Sequence, residues 1–292
     1  MTDEGLRLVF GSANLADDEL TGRLLDRFYD AGGRALDLAN VYGDGDSERG
    51  VGRWLAGSGR RDDVMLYAKG CHPPYCDPGL VRDEIETALG NLRTDRLDVF
   101  LLHRDDPAVP IPAWADALIR ELHRGTVGHV GVSNWSLERF AALKEQLADC
   151  DEHRLRTFSN HFSLVEMAEP RWPGCLAIDA ETARGLVRSG ITVLAWASLA
   201  GGYLADGESA DPTVERSWGT ETNRRRRERA GELAHSLGTT RATIAVAYVL
   251  AQEGVRPVIG TRSAEHLAEA LAAETIELTP EQVTQLEAVT PT

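Results

Sequence analysis

The sequence repeats one order eight times: a short apolar run rich in β-branched residues, then a longer segment with helical periodicity. The strand-like runs are 6–11, 34–38, 64–69, 97–103, 127–133, 156–159, 191–197 and 256–260. The helical segments are 17–31, 46–56, 78–92, 112–124, 136–148, 178–189, 223–253 and 264–273. We predict that 223–253 breaks into two helices near Gly238. Apolar strands joined by helices indicate a parallel sheet that helices cover.

Eight such units in 292 residues match the size of an α/β fold of the (β/α)8 type, the TIM barrel. We therefore predict a single barrel domain over 1–292. The competing fold is a doubly wound open sheet, but "GSANLADD" follows the first strand where a dinucleotide-binding sheet would carry G-x-G-x-x-G. The stretch 199–222, after strand seven, is too long for an idle connection, so we predict a functional loop or lid there. The alternative for that stretch is a disordered surface excursion.

The net charge and the lengths of the apolar runs limit which kinds of partner the protein can bind. The net charge is −15 and the pI is near 5.0, so nucleic acid and anionic membrane surfaces would repel this chain. No apolar run approaches the ~18–20 residues that span a bilayer. The N-terminal segment lacks a signal-peptide profile, so we expect a cytoplasmic protein.

The four cysteines are Cys71, Cys76, Cys150 and Cys175. Cys71 and Cys76 flank His72, but no second pair follows at zinc-finger spacing. We therefore predict reduced thiols and no metal site.

Polar residues end several predicted strands, where barrel enzymes carry their chemistry. Asp37 ends the second strand, Tyr42 follows five residues later, Lys69 ends the third strand and His103 ends the fourth. Taken singly, Asp37 could cap a turn, and Tyr42 and His103 could pack against their neighbours. Lys69 is different, because a lysine in an apolar strand needs a counter-ion or loses its proton. We predict that Asp37 is this counter-ion.

Several segments together resemble the aldo-keto reductase superfamily over nearly the full chain. They are "LDLANVYGDGDSERGVGRWL", "YAKG", "VFLLHRDDP", "GVSNW", "LAWASLAGGYL" and "VIGTRSAEHLAEAL". The order D-x4-Y, then K, then H is the most specific part of the resemblance. It implies a reductase of aldehyde, ketone or sugar carbonyls that uses a nicotinamide coenzyme without a Rossmann domain, with NADPH expected in preference to NADH.

The resemblance also implies a catalytic tetrad of Asp37, Tyr42, Lys69 and His103. An ordinary tyrosine has a pKa near 10 and is a poor acid–base catalyst at neutral pH. We expect the Lys69 ammonium to lower the pKa of the Tyr42 phenol, while Asp37 keeps Lys69 charged. We expect His103 to hydrogen-bond the substrate oxygen and aim it at Tyr42.

Coenzyme contacts are implied in the same way. They fall at Gly11, Ser12, Ser133, Asn134, Asn160, Trp196, Ala197, Ser198, Leu199, Gly201, Leu204, Ile259, Gly260, Thr261, Arg262, His266 and Glu269. Asn160 stands where the family usually has glutamine, and Trp196 replaces the usual tyrosine that covers the nicotinamide ring. Arg262 is the predicted partner of the 2′-phosphate of NADPH.

Three aromatic residues, Tyr75, Trp135 and Trp218, are predicted to line the pocket for the small-molecule substrate. The alternative for Trp218 is that it anchors the long loop. Two other functions stay open at this point. One is a coenzyme-binding regulatory subunit of the same fold, and the other is a barrel hydrolase that uses Asp37 with a second carboxylate.

Overall fold

The computed structural model describes residues 7–148, 154–207, 209 and 211–288. Eight strands are parallel and follow one another in chain order around a closed barrel. They are β1 (Val9–Gly11), β2 (Ala35–Ala39), β3 (Met65–Gly70), β4 (Leu97–Leu102), β5 (Val127–Ser133), β6 (Leu155–Ser159), β7 (Thr192–Ala195) and β8 (Val255–Ile259). This topology confirms the predicted (β/α)8 barrel and excludes the open sheet. The start of the predicted first strand, Leu6, lies outside the described residues.

Eleven α-helices lie within the described part of the chain. They are α1 (Glu19–Asp30), α2 (Asp46–Ser58), α3 (Val81–Leu92), α4 (Ile111–Arg124), α5 (Leu137–Leu147), α6 (Ala180–Arg188), α7 (Pro212–Trp218), α8 (Glu221–Leu237), α9 (Arg241–Leu250), α10 (Ala264–Ala272) and α11 (Pro280–Glu287). The predicted break lies between α8 and α9. Gly238 ends α8 with a φ of 66°, and the Thr240 side chain caps α9. The prediction of two helices is therefore confirmed.

Two short helices were not predicted. α7 lies inside the long connection after β7, and α11 follows the last predicted helix. Each begins with a capping residue followed by proline: Asp211 accepts a hydrogen bond from Thr213 N–H, and Thr279 accepts one from Gln282 N–H. These start signals are present in the sequence, but seven or eight residues give too little periodicity to reveal a helix.

The chain divides into two compact units. The first is Met1–Ser159 with Gly260–Arg262, and the second is Asn160–Ile259 with Ser263–Thr292. In the first, Phe10 packs edge-to-face on Phe28 with 5.4 Å between ring centres. In the second, an apolar core surrounds the buried rings of Trp218 and Tyr248. A single domain over 1–292 stays a prediction.

Strand register in the first unit positions the predicted tetrad. Asp37 lies opposite Tyr67 and Ala39 lies opposite Lys69 in the β2–β3 pair. Side chains alternate between the two faces of a strand, so Asp37 and Lys69 point to the same face. Leu38, next to Asp37 in β2, and Ala68, next to Lys69 in β3, point to the opposite face and are buried.

Candidate active site

Asp37 and Lys69 form a buried ion pair in the first unit. Lys69 Nζ lies 2.5 Å from Asp37 Oδ1. The Lys69 side chain is 3% exposed and the Asp37 side chain is 6% exposed. A buried charge is stable only when it is paired. The contact confirms that Asp37 is the counter-ion of Lys69.

Burial and pairing act against each other in this pair. Burial opposes the charged form of Lys69, but the Asp37 carboxylate and Tyr42 outweigh it, so the pKa of Lys69 lies above its ordinary value. Burial raises the pKa of Asp37 above its ordinary value, and the Lys69 charge reverses only part of that rise. An ammonium in direct contact with a carboxylate stabilises both charges, so the pair is ionised at neutral pH.

Tyr42 lies in the turn after β2, and Lys69 Nζ is 5.1 Å from the centre of its ring. Burial of the hydroxyl raises the pKa of Tyr42 above its ordinary value, and the Lys69 and Arg104 charges reverse only part of that rise. The expected net lowering of this pKa is therefore wrong, because the cost of desolvating a phenolate exceeds the gain from the ammonium. Tyr42 is a neutral phenol at neutral pH.

His103 follows β4 and contacts two other rings edge-to-face. The ring centres are 5.7 Å apart for Tyr42 and 4.9 Å apart for His72. His103 is buried, and its Nδ1 has no hydrogen-bond partner among the described residues. Burial, together with the Lys69 charge, holds the pKa of His103 well below its ordinary value. The imidazole is therefore neutral and able to hydrogen-bond a carbonyl oxygen.

Sequence reasoning missed three charged side chains around this group. Arg104, 7% exposed, donates to the carbonyl oxygen of His103 at 3.0 Å. Glu48, on α2, is fully buried, and Glu84, on α3, accepts a hydrogen bond from Asn40 at 2.6 Å. Glu48 and Arg104 stand inside the quoted motif segments. Charged residues at element ends are ordinarily solvated, however, so only the tertiary structure reveals their burial.

Of the predicted coenzyme residues, those in the first unit are Gly11, Ser12, Ser133, Asn134, Gly260, Thr261 and Arg262. Asn134 has a φ of 58°, and its side-chain amide donates to Ser133 Oγ at 2.9 Å. Ser12 is buried, and its Oγ has no hydrogen-bond partner among the described residues. A Cβ on Gly260 would lie 3.0 Å from the carbonyl oxygen of Gly11, so the two backbones approach closely there.

Arg262, the predicted phosphate partner, is engaged with an acid. Its Nη2 lies 2.7 Å from Asp18 Oδ2, with both side chains partly exposed. Asp18 also caps α1 by accepting from Thr21 N–H. The hydrogen bond from Arg262 lowers the pKa of Asp18 to about 2. Asp18 therefore competes with any anion for Arg262.

The remaining predicted coenzyme residues lie in the second unit: Asn160, Trp196, Ala197, Ser198, Leu199, Gly201, Leu204, Ile259, His266 and Glu269. Ala197, Ala200 and Gly201 have φ values of 54°, 50° and 64°. Left-handed residues in a turn aim successive backbone N–H groups into a concavity that suits a phosphate. Gly201 lies in the left-handed region that favours glycine, and its backbone lies close to the guanidinium of Arg171.

His161, which sequence analysis did not assign, lies beside Trp196. Its ring centre is 5.1 Å from Trp196 and 5.4 Å from Trp218. His161 Nε2 and Trp196 Nε1 are buried and have no hydrogen-bond partner within the described ranges. Burial lowers the pKa of His161 to about 3, so this imidazole is neutral.

The predicted substrate residues differ in exposure. Tyr75 is 57% exposed, whereas Trp135 and Trp218 are fully buried. Trp135 packs edge-to-face on Trp114, and Trp218 belongs to the core of the second unit. Neither indole offers accessible surface to a substrate, and the burial of Trp218 favours its alternative role as an anchor for the connection after β7.

The described cysteines are thiols: Cys71 and Cys175 are buried, and Cys76 Sγ donates to the carbonyl oxygen of Cys71 at 3.1 Å. Cys150 lies outside the described residues. Within the described ranges, no cluster of three His, Cys, Asp or Glu side chains could hold a metal ion. No described helix combines the length and the apolar character needed to cross a bilayer.

Each unit contains a buried polar atom that would suit a polar group of a nicotinamide coenzyme. Ser12 Oγ in the first unit and Trp196 Nε1 in the second are buried polar atoms without a hydrogen-bond partner among the described residues. Buried polar groups ordinarily have partners, so such atoms mark places where a polar ligand group would be satisfied. In the turn after β7, the backbone N–H groups of Ala200, Gly202, Tyr203 and Leu204 already donate to carbonyl oxygens of the same turn.

A model of the aldo/keto reductase family matches residues 7–291. The aldo-keto reductase str7 of Strobilurus tenacellus is 30% identical to this chain, covering 92% of it and 80% of the relative. An uncharacterized oxidoreductase, YrpG, of Bacillus subtilis is 28% identical, covering 98% and 92%. The norsolorinic acid reductase stcV of Emericella nidulans is 28% identical, covering 92% and 71%.

Among solved structures, the thermostable aldo-keto reductase Tm1743, in complex with the inhibitor epalrestat, aligns with a TM-score of 0.76. It shares 22% sequence identity, and the alignment covers 98% of this chain and 95% of that one. At this level of identity the likeness supports the fold alone.

Proposed function

The chain belongs to the aldo/keto reductase family, and on that premise we propose that it transfers a hydride from NADPH to an aldehyde, ketone or sugar carbonyl, with Tyr42 as the proton donor. It is an oxidoreductase that acts on carbonyl and alcohol groups, and its family uses nicotinamide coenzymes. One observation carries the assignment of the proton donor. The ammonium of Lys69, held by Asp37, lies 5.1 Å from the centre of the Tyr42 ring.

NADPH, when bound, would supply the hydride to the carbonyl carbon. The carbonyl oxygen then needs a proton, and Tyr42, neutral at neutral pH, is in the protonation state that donates one. The phenolate that remains would be stabilised by Lys69. A charge pair at ~4 Å in an effective dielectric of ~20 is worth about 4 kcal/mol before desolvation is subtracted. Neutral His103 would orient the carbonyl oxygen by a hydrogen bond.

Asp37 has a supporting role in this scheme. Without it, burial would drive Lys69 to its neutral form, and the phenolate would lose its stabilising charge. The carboxylate therefore acts through the ammonium and does not take part in the proton transfer itself.

In the first unit, Ser133 and Asn134 would bind the coenzyme carboxamide, and Arg262 would pair with the 2′-phosphate. The roles of Trp196 and of the turn around Gly201, which lie in the second unit, stay predictions from the family resemblance. The preference for NADPH over NADH rests on Arg262, whose guanidinium reaches a carboxylate and would reach a phosphate equally well.

Relatives suggest which carbonyl compounds to test first. They include a protein named norsolorinic acid reductase and one named aryl-alcohol dehydrogenase. Tyr75, exposed in the connection after β3, would add an aromatic surface for such substrates. We therefore place aromatic aldehydes and ketones ahead of sugars. We also propose that 1–292 acts as one domain and that the protein works in the cytoplasm.

The test is a screen of NADPH and NADH oxidation with aromatic aldehydes, ketones and sugars, run beside Tyr42→Phe. We expect turnover with aromatic carbonyls that Tyr42→Phe largely removes. Tight coenzyme binding without turnover on any class would favour the regulatory-subunit alternative. Failure to bind either coenzyme would contradict the proposal altogether.

A further inference from the structure

Glu48 is a buried acid that the proposed reaction does not use. It lies in the first turn of α2 and is 0% exposed. Its Oε2 accepts a hydrogen bond from Asn91 Nδ2 at 2.9 Å, and its Oε1 has no hydrogen-bond partner among the described residues. None of the ion pairs found within the described ranges includes Glu48. A carboxyl group buried with one neutral donor and no cation is costly to ionise.

The local packing holds Glu48 in this position. A Cβ on Gly52 would clash with the carbonyl oxygen of Asn91, so only glycine allows α2 to approach α3 this closely. Gly45, at the start of the same helix, has a φ of 83°, a backbone conformation that favours glycine. The close approach at Gly52 packs α2 against the segment that carries Asn91.

A second acid connects this region to the tetrad. A Cβ on Gly70 would lie 3.0 Å from Glu84 Oε2, so the Glu84 carboxylate lies against the backbone next to Lys69. Glu84 is tied to Asn40 by side-chain hydrogen bonding, and Asn40 N–H donates to the carbonyl oxygen of Lys69 at 3.2 Å. Glu84 therefore lies behind the strand that presents Lys69. Glu48 follows Ser47 in α2, and the N–H of Ser47 donates to the carbonyl oxygen of Tyr42 at 3.4 Å, so Glu48 lies next to the turn that carries the phenol.

We propose that Glu48 is a positioning residue for the proposed reaction, whose carboxylate sets the charge near Lys69 and so controls how readily Tyr42 gives up its proton. This proposal rests on the proposed function for its catalytic consequence, but its electrostatic basis does not need turnover. Lys69 and Asp37 together are neutral when ionised, so an ionised Glu48 adds a net negative charge. That charge offsets part of the stabilisation that Lys69 offers a phenolate.

The charged groups that act on Glu48 come from three elements. Burial raises the pKa of Glu48 to about 7, Glu84 on α3 adds to the rise, and Lys69 on β3 and Arg49 on α2 oppose it. Asn91 is neutral and favours the ionised form by donating a hydrogen bond. Arg49 is already held by Asp46 at 2.5 Å. Glu48 therefore changes charge near neutral pH, where it can modulate the reaction.

The first test is the titration of Glu48 by carbon-13 NMR, in protein labelled at the glutamate side-chain carboxyls, with the signal assigned by its loss in Glu48→Gln. We expect a midpoint near neutral pH in the wild-type protein. In Lys69→Met the midpoint should move to higher pH, because the cation that favours the carboxylate is gone. An unmoved midpoint in folded Lys69→Met would overturn the proposal.

The second test remains if Lys69→Met does not fold. It measures the pH profile of carbonyl reduction in the wild type, in Glu48→Gln and in the matched control Asp83→Asn, which removes an exposed charge from the first turn of α3. We expect the alkaline limb of Glu48→Gln to move to lower pH by about 0.5, with Asp83→Asn unchanged. A uniform loss of rate with the limb in place would mean a purely structural role and would also overturn the proposal.

The two tests separate the two proposals. If the wild type reduces no carbonyl compound, the proposed function fails, and the NMR titration still decides whether Glu48 and Lys69 are coupled. If turnover is normal and the titration midpoint of Glu48 is the same in the wild type and in Lys69→Met, only the proposed role of Glu48 fails.

Discussion

Lys69 Nζ and Asp37 Oδ1 lie 2.5 Å apart on neighbouring strands, with both side chains almost completely excluded from solvent. An isolated ammonium or carboxylate in that position would be strongly destabilised. The pair therefore links folding stability and the proposed chemistry. The same contact keeps Lys69 charged and avoids the cost of an unpaired buried charge in β2 or β3.

Asp37→Asn should lower the free energy of unfolding by about 3–5 kcal/mol, because it leaves Lys69 buried without a counter-charge. Urea denaturation at pH 7 measures this. The control is Glu19→Gln, which breaks the exposed pair between Glu19 and Arg23, and there we expect a loss below about 1 kcal/mol. Equal losses in the two variants would show that the buried pair contributes nothing beyond a surface pair.

Tyr42→Phe should reduce kcat for carbonyl reduction by about 100-fold or more, because general acid catalysis by a side chain contributes at least that factor. The ring and its edge-to-face contact with His103 are retained, so coenzyme affinity should change little. Turnover and coenzyme fluorescence titration report the two quantities separately. Full turnover in the variant would remove Tyr42 from the role of proton donor.

Arg262→Ala should weaken binding of NADPH more than binding of NADH, because only NADPH carries the 2′-phosphate. Asp18→Asn should do the opposite and strengthen NADPH binding, since it releases Arg262 from its acid while asparagine can still cap α1. Fluorescence titration with both coenzymes measures each change. Arg23→Ala, which removes an exposed arginine from α1, is the control for a general loss of positive charge. Equal losses for the two coenzymes in Arg262→Ala would mean that another group recognises the phosphate.

Glu48→Gln should stabilise the protein at pH 8 and leave its stability at pH 4.5 nearly unchanged. The folded-state pKa of Glu48 is about 7 against an ordinary value of 4.5. The folded protein therefore binds the extra proton between these values, and wild-type stability falls as pH rises through that window. At ~1.4 kcal/mol per pH unit, the penalty above pH 7 is about 3 kcal/mol. Urea denaturation of both proteins across this range checks the difference, which should stay flat for the exposed-charge control Asp83→Asn.

Periodicity alone predicted most of the fold. Eight alternating strands and helices cannot bury their apolar faces in many ways, so the barrel and the break at Gly238 followed from local patterns. The helices α7 and α11 were not predicted, because a helix of two turns has too few residues to show a periodic pattern. A capping residue and a proline nevertheless mark the start of each.

Less of the candidate site than of the fold could be predicted from the sequence. The sequence determined which residue types end the strands, and a lysine in an apolar strand required an acid, which proved to be Asp37. Only the tertiary structure decided that desolvation of Tyr42 outweighs the Lys69 charge, that Glu48 is fully buried, and that Arg262 is held by Asp18. Desolvation and charge pairing depend on which atoms surround a group in space, and neighbours distant in sequence supply most of those atoms.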